Sequence, residues 1–191
     1  MVGPVIDEVQ LAHPRKEGMV RLRRERSVEW PREHHDLVRM ALAKLDPWSY
    51  RVAVMDPSIG AEYAAVGSTG AFVIAIYGVE GYVEPKGAGV TIDGRPLQGL
   101  RRVAKAAKTA KALLLDKHVF VDVVPILCLT KAAAGVSRSV SGVRVVRLAD
   151  LVNEMSGRPR ALELDSAKKG AAALGTVLPT VAGPRSEEED G

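Results

Sequence analysis

Glu84 and Lys86 stand one residue apart, a spacing that places an acid and an amine on the same face of a β-strand. A carboxylate can hold a divalent cation through its oxygens, and a lysine beside it can orient water or stabilise developing negative charge. Pro85 separates the two residues and Gly87 follows them, however, so this stretch favours a turn with both side chains in solvent.

A row of cations between residues 101 and 117 could contact phosphate. This stretch contains six basic residues and one acidic residue. The spacing of Arg101, Lys105 and Lys108 places them on one face of a helix, and Lys111 follows them. Such a row could follow a nucleic-acid backbone with salt-sensitive affinity, or it could be an ordinary solvated helix face. Aromatic residues make up only 4% of the chain, which argues against a platform that stacks bases.

The histidines and the cysteine argue against a zinc centre. Cys128 is the one cysteine, so an internal disulfide is excluded, and its apolar neighbours predict a buried structural thiol. His34 and His35 are adjacent, so they do not share a helix face and are poorly placed to bind one metal together. We expect both histidines to lie at the surface, and we expect no metal ligands from this set.

The elements that must position these side chains follow from periodicity and turn residues. The pattern predicts a helix from about Pro31 to Asp46, strands at 50–55, 61–66 and 71–77, a hairpin over 81–97, a helix over 97–115, strands at 121–130 and 143–148, and a helix over 149–155. The strand at 71–77 is apolar on both faces, so it should be central and covered on both sides. Pro125 predicts an edge or a bulge, and the pattern over residues 131–142 predicts a loop.

These elements predict one α/β domain over residues 31–157, with a mixed central β-sheet flanked by helices. A basic, partly irregular arm over residues 1–30 precedes it, and a flexible tail with an acidic end follows over 158–191. The sequence contains neither a long apolar stretch nor a signal-peptide pattern, so we expect a cytoplasmic protein with no membrane partner. The net charge of +4 permits an acidic partner without requiring one.

Two stretches within this order of elements carry a family resemblance. They are VGSTGAFVIAIYG at 66–78 and DGRPL at 93–97. Together they resemble the NERD (nuclease-related) domain over about residues 31–155. The resemblance implies a restriction-endonuclease-like core of the PD-(D/E)xK type. It also implies phosphodiester hydrolysis, in which acids on adjacent strands hold magnesium and a lysine assists.

The resemblance assigns four positions of this sequence. Asp36 takes the place of a glutamate on the first helix, and Glu62 takes the place of an aspartate before the glycine turn. On the next strand, Ala75 and Tyr77 replace the acid-x-lysine pair. Alanine cannot ligate a cation, and a neutral phenol is a poor substitute for an ammonium group. Asp36 and Glu62 are therefore vestigial positions, and we expect no metal site and no efficient cleavage.

Three functions stay open at this point. The first is a catalytically inactive nuclease-related domain that needs no cofactor and binds DNA or RNA weakly through phosphate, or binds a protein partner that the sequence does not name. The second is a magnesium-dependent endonuclease with a relocated site, which would use Glu62 with Glu84 and Lys86, or with Asp56, although Asp56 before Pro57 more simply begins a turn. The third is a structural or interaction domain without a nucleic-acid role. The loss of the acid and the lysine favours the first.

Overall fold

The computed structural model describes residues 30–87, 89–134 and 138–179. The helices in these ranges are α1 (Arg32–Leu42), α2 (Leu100–Asp116), α3 (Leu151–Ser156) and α4 (Leu164–Leu174). The strands are β1 (Tyr50–Met55), β2 (Tyr63–Gly67), β3 (Gly70–Tyr77), β4 (Gly81–Lys86), β5 (Gly89–Ile92), β6 (Arg95–Pro96), β7 (Val123–Leu129), β8 (Ala132–Ala134), β9 (Arg138–Val140), β10 (Val143–Arg147) and β11 (Gly175–Val177). The expected basic arm, apart from Trp30, and the acidic chain end lie outside the described residues.

A mixed seven-stranded sheet forms the centre of the domain, in the order β11-β1-β2-β3-β7-β10-β9. β1, β2 and β3 are an antiparallel meander, and the tight turn between β2 and β3 begins at Gly67. β7 lies parallel to β3, and β10 lies parallel to β7. A parallel pair needs a long crossover, and α2 lies in the chain between β3 and β7. The mixed α/β architecture predicted from the sequence is confirmed.

β3 is buried on both faces because its side chains alternate between two hydrophobic cores. Ala71, Val73 and Ala75 pack in the core shared with α2 and α4, whereas Phe72, Ile74 and Ile76 pack in the core shared with α1 and α3. The small residues point toward α2 and α4, and the large residues fill the space under α1 and α3. The central position expected for this strand is confirmed.

The hairpin after β3 belongs to a second, four-stranded sheet in the order β6-β5-β4-β8. β4 runs through Pro85, which pairs with Val90, and ends at Lys86. The turn expected at Glu84 to Lys86 therefore begins later, at Gly87, which has a positive φ of 57°. The turn expected from Pro85 is therefore displaced. Among the described residues, β8 pairs with β4 only at Gly81 and Tyr82, so β4 has no paired strand on that side at Pro85, and a proline is tolerated at such an edge.

β7 is an interior strand, so the edge or bulge expected from Pro125 is wrong. Pro125 pairs with Val73 of β3 on one side. On the other side, pairing with β10 begins only at Ile126, so the missing N–H costs no bond of that ladder. The stretch 131–142 also differs from the expected loop, because it contains β8 and β9.

The ordered fold extends past the boundary expected at residue 157. α4 packs on the same sheet face as α2, and β11 pairs antiparallel with β1 through Ala53 and Val177. Gly170 lets the two helices approach, since a side chain there would meet Leu114 and Val66. Residues 158–179 were expected in the flexible tail because α4 buries mainly alanine and glycine, whose apolar signal is weak.

Candidate functional site

Glu62 and Ala75 lie opposite each other at the start of β2. The last registered pair of β2 and β3 is Tyr63 with Ile74, and Glu62 precedes Tyr63 by one residue, as Ala75 follows Ile74. The backbone N–H of Glu62 donates to the carbonyl of Ile74, 3.1 Å away. Side chains alternate along both strands, so Glu62 and Ala75 point to the face covered by α2.

Both oxygens of the Glu62 carboxylate have protein partners. Its Oε1 lies 3.2 Å from the Arg102 guanidinium of α2, and its Oε2 accepts a hydrogen bond of 2.8 Å from the backbone N–H of Ile76. The side chains of Glu62 and Arg102 are only 15% and 16% exposed. Gly60 lies close to the aliphatic part of Arg102, since a β-carbon at this glycine would come within 3.3 Å of Arg102 Cγ. Glu62 is therefore a partly buried charge that is paired within the protein.

Ala75 and Tyr77 contribute packing to this region. Ala75 is completely buried in the core beneath α2. Tyr77 is half-buried at the end of β3, packs against the same core, and meets the ring of Trp30 edge-on at 5.6 Å. The two positions that the resemblance assigns to the acid-x-lysine pair are thus occupied by side chains that pack in the core, and neither carries a carboxylate or an ammonium group.

Asp36 does not approach Glu62 from the same side of the sheet. It lies on α1, which covers the opposite face, and its side chain is 52% exposed. Its carboxylate pairs with Arg32 one turn earlier, at 3.9 Å. The structure therefore places Asp36 and Glu62 on opposite faces of the sheet.

The other carboxylates considered for a relocated site are engaged locally or exposed to solvent. Asp56 begins a short 3-10 helix by accepting from the backbone N–H of Ser58 at 2.8 Å, and its hydrogen bonds with Ser58 lower its pKa. Glu84 and Lys86 are exposed on β4 in the second sheet. Within the described residues, no three His, Cys, Asp or Glu side chains are grouped so that they could hold a metal ion. The residues do not fit a divalent cation.

The cations of α2 divide into two groups. Three of the basic residues between 101 and 117 have acidic partners: Arg102 with Glu62, Lys111 with Asp122 and Lys117 with Asp116. The other three, Arg101, Lys105 and Lys108, are exposed and have no ion pair with any described residue. At a rise of 1.5 Å per residue, the row from Arg101 to Lys108 is roughly 10 Å long. It lies opposite the buried face of the helix.

His34 is buried, so its expected surface position is wrong. Its Nδ1 lies 2.6 Å from the hydroxyl of Thr130, and its ring meets Trp30 edge-on at 5.7 Å. His35 is half-buried and contacts the ring of Tyr63. Through these contacts the two histidines join α1 to the sheet. Although they are adjacent in sequence, the rings of His34 and His35 contact different residues.

Cys128 is the buried structural thiol that the sequence predicts. It lies in β7, has no exposed surface, and is not part of a disulfide. Burial raises the pKa of its thiol to about 12. A thiol this weakly acidic is not a nucleophile at neutral pH.

A surface groove of about 540 Å³ lies between α1, β1 and the chain around Leu178. Its lining is mostly apolar and includes Met40, Leu45 and Val52. Since α1 covers the face opposite Ala75, this groove is not connected with the Glu62 region. Sequence patterns did not predict it, because it depends on the chain after α4 returning to β1.

Comparison with known proteins gave no relatives: no protein-family model, no curated protein and no solved structure matches this chain significantly. Among the described residues, the search for a helix of the length and hydrophobicity needed to cross a membrane found none.

Proposed function

We propose that this chain is a nuclease-related domain of the PD-(D/E)xK type that lacks catalysis and binds the phosphate backbone of nucleic acid. The order of elements supports the first part of the proposal. A strand ends in a glycine turn at Gly67, an apolar strand follows, then a glycine-containing hairpin, then the long basic helix α2. This is the order that the resemblance to the NERD domain implies.

The chemistry around Glu62 supports the loss of catalysis. Metal-assisted hydrolysis needs carboxylate oxygens that are available to a cation. Both oxygens of Glu62 accept bonds from Arg102 and the N–H of Ile76, and Ala75 opposite supplies no oxygen ligand. The guanidinium already provides the positive charge that a cation would bring to this carboxylate.

The observation that carries the binding proposal is the division of cations on α2. Acidic partners neutralise Arg102, Lys111 and Lys117, yet the three cations that share one exposed face have none among the described residues. A protein gains no stability from leaving like charges together on one helix face. Phosphates of a nucleic-acid strand would supply the missing counter-charges for Arg101, Lys105 and Lys108.

The test is a fluorescence-anisotropy titration of a short labelled duplex with the wild type and the triple variant Arg101→Ala/Lys105→Ala/Lys108→Ala. We expect the triple variant to bind at least about tenfold more weakly at low salt, and the slope of log K against log salt to fall by about 2.7 if three phosphate contacts are lost. The matched control is Lys44→Ala/Lys86→Ala/Arg160→Ala, which removes the same charge from exposed residues elsewhere. If both triple variants bind like the wild type, the α2 row is an ordinary helix face and the binding proposal is wrong.

Catalysis is tested separately. We expect no nicking of supercoiled plasmid with Mg²⁺ or Mn²⁺, and no stoichiometric heat when either ion is titrated into the protein. Cleavage that requires a divalent ion and disappears in Glu62→Ala would restore the endonuclease alternative. Duplex binding without cleavage distinguishes the proposal from an interaction domain that has no nucleic-acid role.

A further inference from the structure

Phe120 is the most exposed of the large apolar side chains among the described residues, at 73%. It lies in the segment that connects α2 to β7. Removing a phenylalanine ring from water is favourable in free energy, and an exposed phenylalanine lacks that stabilisation. Single exposed apolar side chains are common on protein surfaces, so the meaning of this one depends on what lies around it.

Two observations connect Phe120 with the cations of α2. Burial alternates along the segment, because Val119 and Val121 turn toward the core while Phe120 and Asp122 turn outward. Asp122 is joined to Lys111 of α2 by a bond of 3.0 Å. The Asp122 end of this segment therefore lies beside the C-terminal half of α2, about one helical turn beyond Lys108.

The chain reversal at the end of α2 fixes this arrangement. The helix ends after Asp116, and His118 takes a left-handed conformation with a φ of 56° that returns the chain toward the sheet. Leu115, which is 45% exposed, lies one helical turn beyond Lys111 and adds apolar surface next to the segment. Two exposed apolar side chains, Leu115 and Phe120, thus lie at and just after the end of the helix that carries the cationic row.

We propose, on the basis of the proposed binding function, that this surface prefers single-stranded nucleic acid. Arg101, Lys105 and Lys108 would contact successive phosphates of one strand, and the ring of Phe120 would stack on an unpaired base. In a duplex the base faces are covered by their neighbours, so the ring has no face to contact and only the phosphate contacts remain. Any base can stack on an aromatic ring, so we expect this surface to prefer single strands over duplexes without preferring a particular base.

The aromatic content of the chain argued against a stacking platform, but a platform for one base needs only one exposed ring beside the phosphate contacts. The structure supplies that ring at Phe120, and the acid nearest to it along the chain, Asp122, is already paired with Lys111. The cationic row is therefore not opposed by an unpaired acid in this segment.

The experiment compares labelled oligo-thymidine with a labelled duplex of equal phosphate number, by anisotropy at one salt concentration. We expect Phe120→Ala to weaken oligo-thymidine binding about 5- to 150-fold, the fold-change that corresponds to loss of one stacked base, and to leave duplex binding unchanged. The matched control is Tyr82→Ala, which removes another exposed aromatic ring from β4, and it should leave both affinities unchanged.

A second variant gives a direct signal from the ring. In Phe120→Trp we expect indole fluorescence to be quenched by oligo-thymidine and not by the duplex, after subtraction of the same titration of the wild type. If Phe120→Ala binds oligo-thymidine like the wild type and the indole is not quenched, this inference is overturned. The proposed function then still stands when the α2 triple variant loses binding, whereas a wild type that binds neither strand type overturns both.

Discussion

The guanidinium of Arg102 lies 3.2 Å from the carboxylate of Glu62 and joins the first turn of α2 to the start of β2. The second oxygen of that carboxylate accepts from the backbone of β3, so one side chain connects α2 with two strands of the meander. Both partners are largely buried, and each therefore depends on the other for its counter-charge. The ion pair is a structural tie at the position where the resemblance implies a cation site.

Replacement of Arg102 by methionine should destabilise the fold by about 3 kcal/mol, because it leaves the Glu62 carboxylate buried without a counter-charge. Urea denaturation measures this change. The matched control is Arg101→Met, the neighbouring and exposed position on α2, which should change the free energy of unfolding by no more than about 0.5 kcal/mol.

A double-mutant cycle tests whether the two charges act as a pair. Glu62→Gln/Arg102→Met removes both charges. The double variant should therefore lose less unfolding free energy than the sum of the losses of the two single variants. If the losses of the single variants simply add, then the two groups do not interact, and Glu62 does not tie α2 to the meander through its charge.

The meander and α2 could be predicted from the sequence because their signals are strong. β3 is continuously apolar, β1 alternates, and the turns between them contain glycine or proline. The register of these strands places Glu62 opposite Ala75. Arg102 was missed because it was counted with its cationic neighbours. It lies about 100° around the helix from Arg101, at the border of the buried face, and that angle is the signal that could have distinguished it.

The part of the fold after residue 157 was not predicted, although the spacing is present. Ala167, Gly170, Ala171 and Leu174 recur at the interval of one helix face and are buried. Alanine and glycine carry little hydrophobic contrast, so the pattern resembles a polar tail rich in small residues. The groove near Leu178 and the pairing of β11 with β1 are long-range consequences of that helix, and local patterns do not contain them.

Gly170 should not tolerate a larger side chain. A β-carbon there would lie 3.1 Å from Leu114 and 3.2 Å from Val66, so the longer side chain of Gly170→Val forces α4 away from α2. We expect a loss of about 1–3 kcal/mol in the free energy of unfolding, measured in urea. The control is Ala172→Val on the exposed side of the same helix, which should cost only about 0.5 kcal/mol through helix propensity. Equal effects of the two changes would contradict the close packing of α4 against α2.

Cys128 should resist thiol reagents while the protein is folded. With its pKa raised to about 12 and no exposed surface, the thiol has neither the charge nor the access that disulfide exchange requires. We expect no reaction with Ellman's reagent under native conditions and full reaction in denaturant. Thr109→Cys, at an exposed position of α2, provides the control and should react at once. Fast native labelling of the wild type would show that β7 opens locally.

Glu154 should make the stability of the fold depend on pH in the acid range. Its carboxylate lies in α3, is 12% exposed, and accepts from both Arg144 at 2.7 Å and Arg158 at 2.9 Å. Burial by itself raises the pKa of Glu154, but the bonds from the two arginines outweigh it, so the pKa is lowered from the ordinary value of 4.5. The stabilisation is therefore fully present above 4.5, where the unfolded chain is also ionised, and is lost as the pH falls toward the folded pKa.

Glu154→Gln should consequently lower the free energy of unfolding by about 2 kcal/mol near neutral pH, since two charge-assisted interactions are lost. The difference from the wild type should shrink as the pH falls below 4.5, because the wild type loses the same contribution there. Urea denaturation at a series of pH values measures both curves, and Glu163→Gln, at an exposed carboxylate, serves as the control. If the difference in unfolding free energy between Glu154→Gln and the wild type stays constant across this range, then the ionised carboxylate is not the source of the stabilisation.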